Sequence, residues 1–115
     1  ITQKGYLMKS ILELKGNDYI VCDNIIEAMA LEKCLNNNGF TWSSGHKYDA
    51  GDDRHLMLSY FANQNISMGY RINRNGDKRG THGSVQHFKE EGMKAHYYKD
   101  IIELNSFETK QIMDI

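Results

Sequence analysis

The sequence predicts an α+β domain in which a mostly antiparallel sheet of about five strands carries one main helix on one face, in the order β-β-α-β-β-α-β. Three observations lead to it. Ile66, Met68, Tyr70 and Ile72 alternate with Ser67, Gly69, Arg71 and Asn73, which is the period of a half-buried strand. A capped helical pattern fills residues 24–39. The other apolar runs are short and separated by turn residues, which favours antiparallel neighbours.

The elements follow in order. Residues 1–9 are expected to form a leader or flexible start, because the chain opens on Ile1 and Met8-Lys9-Ser10 reads as a natural beginning. Ser10 to Leu14 and Tyr19 to Cys22 are apolar-rich runs flanking Gly16-Asn17-Asp18, and together they read as a hairpin. Asn24 is a helix cap with Glu27 three residues on, and good helix formers fill Ala28 to Leu35. Ala28, Leu31 and Leu35 share one face, bordered by Cys34, and Asn36-Asn37-Asn38-Gly39 ends the helix. Ser43 to Arg54 has no hydrophobic period and reads as a loop. His55 to Phe61 reads as a strand, followed by the alternating strand over 66–73. Arg74 to Gly83 reads as a polar loop, Ser84 as the cap of a short helix ending near Gly92, and Tyr97 to Leu104 as β-like. A single domain therefore spans 10–104, with 105–115 as a C-terminal tail.

Composition narrows the function classes. A chain of 115 residues with 40% hydrophobic and 25% charged residues supports one core. Its net charge of −1 supplies no global field to attract nucleic acid or an anionic membrane. No run reaches the roughly 18 apolar residues of a membrane span, and the start lacks signal-peptide order, so a cytoplasmic protein is expected. Cys22 and Cys34 lack metal-ligand spacing and are expected as buried or free thiols.

Four groups of residues invite a chemical reading. Gly39-Phe40-Thr41-Trp42-Ser43-Ser44-Gly45 either anchors the chain leaving the helix, with Phe40 and Trp42 buried, or leaves Trp42 free to stack on a planar ligand. His46, Asp49, Asp52, Asp53 and His55 carry the atoms a divalent metal takes, although their spacing fits neither a calcium loop nor a paired-histidine zinc helix. Arg71, Arg74, Lys78 and Arg79 cluster around Asn75-Gly76-Asp77 and suit a phosphate, with Trp42 or Tyr70 stacking beside it. His82, His87, Glu91 and His96 are candidate acid/base groups, with His87 and Glu91 four apart on a helix. No phosphate-binding loop, nucleophile elbow or dinucleotide fingerprint is present.

The Gly39 to Gly45 string, a glycine, an aromatic, Trp42 and then Ser-Gly after a strand and a helix, resembles small accessory proteins encoded by bacteriophages and prophages. The likeness covers Ile11 to Tyr48. It implies a non-enzymatic protein without cofactor that inhibits a host defence protein or captures a small nucleotide, in the host cytoplasm. The alternatives from the residues themselves are nucleic-acid binding through the basic loop 71–82 and a metal-dependent phosphodiesterase or nuclease on the His/Asp loop 46–55. A half-covered sheet would also allow a homo-oligomer.

Overall fold

The structure is a computed structural model that describes residues 8–48 and 67–104. Among these residues the elements run β1 (Asp18–Cys22), α1 (Ile25–Asn37), β2 (Thr41–Trp42), β3 (Met68–Arg71), β4 (Arg79–Ser84), α2 (Val85–Glu90) and β5 (Lys94–Tyr97). The α+β class holds, and the five strands form one sheet in the order β2-β4-β3-β1-β5. The sheet is mixed, however. β1 and β3 pair antiparallel, as do β3 and β4, whereas β1 with β5 and β2 with β4 are parallel.

Two connections that cross over the sheet, β1 to β2 and β4 to β5, carry a helix each. The β1-α1-β2 connection travels toward one edge of the sheet and β4-α2-β5 toward the other. Connections of one hand running in opposite directions put their helices on opposite faces. Accordingly α1 packs on an inner face built from Ile20, Cys22, Met68 and Tyr70. The outer face carries Tyr19 and Val21, covered by Phe88 of α2 with Met93. The expectation of a sheet covered on one side is therefore corrected: the short second helix caps part of the other side.

Local chemistry explains each element. Asn24 caps α1 by accepting the Glu27 amide at 2.9 Å, and the Glu27 carboxylate accepts the Asp23 amide at 2.8 Å. Ala28, Leu31 and Leu35 are fully buried, as their spacing predicts, and Gly39 leaves the helix at φ 80°. Ser84 caps α2 by accepting the His87 amide at 3.2 Å. Phe88 stacks on Tyr19 with ring centroids 5.0 Å apart and lies over the paired Gly69 and Gly83. Burying that ring contributes roughly 2–3 kcal/mol, which such a short helix needs to hold its place.

Several expectations fail for identifiable reasons. Ser10 to Leu14 is not a strand, because Ser10 and Glu13 form a reciprocal capping box around a 3-10 turn over Ile11–Glu13. Met8 and Lys9 are not a loose start: the Met8 amide bonds the Asp100 carbonyl at 2.8 Å, and the Lys9 carbonyl accepts the Glu103 amide at 3.0 Å. The expected polar loop over Arg74 to Gly83 is not all loop, since β4 begins at Arg79 and pairs antiparallel with β3, making a β-hairpin. Tyr98–Asp100 is a 3-10 turn, so the last strand lies at Lys94–Tyr97. The expected strand over 55–61 and the tail lie outside the described residues. Both cysteines are free and buried, and burial pushes the Cys34 thiol up to about 12, so neither is a ready nucleophile. No helix among the described residues is long and apolar enough to cross a membrane.

Candidate anion-binding site

The β3–β4 turn is built by the side chain of Asn73. Its Oδ1 accepts the Lys78 amide at 2.9 Å, and its Nδ2 donates to the Leu14 carbonyl at 3.1 Å, tying the turn to the segment before β1. The Asp77 carboxylate accepts the Arg79 amide at 3.1 Å, and the Arg74 amide closes onto the Arg79 carbonyl at 3.0 Å. Lys78 sits at φ 62° and sends Nζ back to the Asn38 carbonyl at 3.1 Å, 5.4 Å from the Phe40 ring centre. Lys78 is thus engaged at the negative end of α1 and is a poor ligand group.

The arginines are differently placed. Arg71 is half-buried on the outer face, and its Nε donates to the Gly16 carbonyl at 2.8 Å. Its two Nη groups have no hydrogen-bond partner among the described residues. Register sets Arg71 opposite Thr81. Arg79 lies two residues from Thr81 on the same face, a diagonal neighbour at about 7–8 Å. Its side chain is exposed, and among the described residues it hydrogen-bonds only the Ser43 carbonyl, at a long 3.4 Å. Thr41 pairs with Arg79 from β2. Arg74 is exposed in the turn beyond, and its guanidinium has no partner among the described residues.

The aromatic residues expected to stack beside these cations are on the other face. Alternation along β3 puts Tyr70 and Arg71 on opposite sides of the sheet. Tyr70 is fully buried, and its hydroxyl donates to the buried Glu32 carboxylate at 2.7 Å. Burial, and then the charge of Glu32, raises the Tyr70 hydroxyl well above the usual tyrosine value, so it stays a donor. The Trp42 ring centre lies 4.2 Å from Tyr48, 6.2 Å from Tyr70 and 5.0 Å from His82. Trp42 Nε1 and the Tyr48 hydroxyl are buried without a hydrogen-bond partner among the described residues. Trp42 and Tyr70 therefore belong to an inner-face aromatic cluster, which corrects their assignment to a shared site with Arg71, Arg74, Lys78 and Arg79.

Among the described residues the remaining candidates do not converge. Asp49, Asp52, Asp53 and His55 lie outside the described residues, and His46 Nδ1 meets the Ser44 hydroxyl at 2.9 Å. His82 belongs to the Trp42 cluster, while His87 and Glu91 form an exposed pair at 3.7 Å. His96 pairs with Asp18 at 2.9 Å across β5 and β1. No group of three or more His, Cys, Asp or Glu among the described residues is placed to hold a metal.

The Asp18 pair gives a pH prediction. Burial opposes the charge of Asp18, but the Lys15 amide, the His96 ring and the charges of His96 and Lys94 outweigh it, leaving the carboxyl below its usual value. A carboxyl depressed in the folded chain stabilises it above the unfolded value of 3.8, and that stability is lost as pH falls through the folded value. Asp18→Asn should therefore unfold at lower urea than the parent at pH 7, with the two midpoints converging below pH 3.8 in acid titrations. A gap unchanged with pH would remove the ionic part of this account.

Two residues of the site were not legible beforehand. Gly16 supplies only a carbonyl, and Thr81 sits in a glycine-rich polar run without strand periodicity. No family model matches the chain, and no curated protein or solved structure matches it either.

Proposed function

We propose that this is a non-catalytic binding protein that captures a small phosphorylated molecule, a nucleotide in the phage-type accessory reading, on the outer face between Arg71, Thr81 and Arg79. The observation that carries the reading is the guanidinium of Arg71. It is fixed through Nε on the Gly16 carbonyl, and its Nη fork has no partner among the described residues. A guanidinium fork matches a phosphate bidentately, and holding it beforehand reduces the ordering cost of binding. Arg79 and the Thr81 hydroxyl stand on the same face, and Arg74 is exposed at its rim. His82, next to Thr81 in sequence, faces the other side of the sheet in the Trp42 cluster and is not placed as a base for the Thr81 hydroxyl.

Titration calorimetry with inorganic phosphate and with cyclic and linear mononucleotides tests the reading. Arg71→Ala should weaken binding by about tenfold or more, or roughly 1.4 kcal/mol, and Arg71→Lys should not restore it. Arg79→Ala should cost about as much as one charge-assisted hydrogen bond, while thermal melts confirm that each variant folds. Absence of heat with every phosphorylated compound would sink the proposal. Binding confined to single strands, falling steeply with salt and abolished by Arg74→Ala with Arg79→Ala, would favour the nucleic-acid reading.

A further inference from the structure

We propose that Asn75 is a self-modifying site, converting to aspartate or isoaspartate without an enzyme, and that the carboxylate so formed weakens anion binding at the arginine face. The regulatory half rests on the function proposed above. The chemistry does not.

Asn75 is exposed at the tip of the β3–β4 turn, and its side chain makes no hydrogen bond among the described residues. Gly76 follows at φ 75°, with open space within 4 Å of where a Cβ would stand. Without a side chain its backbone can swing its nitrogen toward the Asn75 amide. That nitrogen is weakly held, donating to the Asn73 carbonyl at 3.3 Å, longer than the usual 2.9–3.0 Å. The cations Arg74, Lys78 and Arg79 in the same turn favour the deprotonated nitrogen that attacks, and the Asp77 carboxylate is already engaged by the Arg79 amide.

The step balances within the chain and water. Gly76 N forms a bond to Asn75 Cγ and gives up its proton, while the Cγ–Nδ2 bond breaks and the side-chain nitrogen leaves as ammonia. Water then opens the cyclic imide at either carbonyl, giving the aspartyl or the isoaspartyl form. The net change is amide plus water to acid plus ammonia, and no oxidant or cofactor is needed.

The chain carries its own comparison in Asn38-Gly39. Asn38 is partly buried, its Nδ2 donates to the Cys34 carbonyl at 2.8 Å, and its carbonyl accepts Lys78 Nζ at 3.1 Å. Held this way, its side chain cannot present Cγ to the Gly39 nitrogen. Asn75 has none of these restraints. A carboxylate at position 75 adjoins Arg74 and joins Asp77 in offsetting the basic turn. The isoaspartyl form also lengthens the main chain inside the ring closed by the Asn73 to Lys78 bond.

The test is to age the full chain at mildly alkaline pH and map peptides by mass. The peptide containing Asn75 should gain an acid several-fold faster than the one containing Asn38, and Gly76→Ala should slow the change at 75. Conversion at Asn38 ahead of Asn75, no conversion at 75, or a rate indifferent to Gly76→Ala would overturn the chemistry. Calorimetry with inorganic phosphate reads the second half: Asn75→Asp should bind several-fold more weakly than the parent. Equal binding by the two would overturn the regulatory role while leaving the chemistry intact. No phosphate binding by the unmodified chain would overturn the proposed function and the regulatory role together, and the masses would still decide the chemistry.

Discussion

Gly80→Ala is expected to destabilise the fold by roughly 3 kcal/mol or more, the largest effect of any small substitution on the described surface of the sheet. A Cβ at that position would stand 1.9 Å from the Arg71 carbonyl oxygen and 2.7 Å from the Ile72 Cα. Both are backbone atoms of the neighbouring strand, so no side-chain rotation relieves the contact, and β4 must move away from β3. Gly76→Ala is the matched control. It meets no atom within 4 Å and suffers only from its φ of 75°, which should cost about 1 kcal/mol. Urea unfolding of the two variants distinguishes these mechanisms. Equal midpoints would mean that the two strands do not approach as closely as the structure shows. Because Gly80 lies between Arg79 and Thr81, the displaced β4 should lose anion binding as well.

Tyr70→Phe is the second large effect, about 2 kcal/mol, because it removes a hydroxyl donating to a buried carboxylate at 2.7 Å. Glu32 is only 3% exposed, so its charge cannot turn to water when that donor goes. Glu32→Met should also destabilise, because it removes the carboxylate that accepts the Tyr70 hydroxyl at 2.7 Å. The double variant should cost clearly less than the sum, since replacing both partners of a buried polar pair with apolar groups removes the desolvation penalty. Strictly additive losses in the unfolding cycle would show that the two side chains are not coupled.

How much of this could be read in advance depends on whether a residue's role is local. The α1 caps, its buried stripe and its glycine exit were legible because Asn24, Glu27, Ala28, Leu31 and Gly39 act within a few residues of one another. The 3-10 turn at Ile11–Glu13 was missed, because the apolar composition of the run suggested a strand although Ser10 and Glu13 carry a capping box. β4 was not, since its sequence RGTHGS shows no alternation; its place is fixed by neighbours that fit against its glycines. The mixed sheet follows from long-range pairing that no local pattern records. For the site, the cluster of cations was visible, but the face each one takes was not. The alternation that identified β3 also separates Tyr70 from Arg71, and applying it fully would have kept the two from being assigned to one site.

The parallel pairing of β1 with β5 bears on how the chain reaches this state. Asp18 meets Lys94, Met8 meets Ile101, and α1, β3, β4 and α2 all intervene in sequence. Closing so large a loop costs entropy before any contact repays it, so such topologies fold slowly. The β3–β4 hairpin with its Asn73-braced turn is a local unit that can form early. The segment holding β1 must wait until residues near 94–101 have emerged from synthesis, and until then its apolar strand lacks one flank. A young chain thus passes through a stage in which Tyr19 to Cys22 is prone to pair with the wrong neighbour, and completion of the last strand ends that exposure.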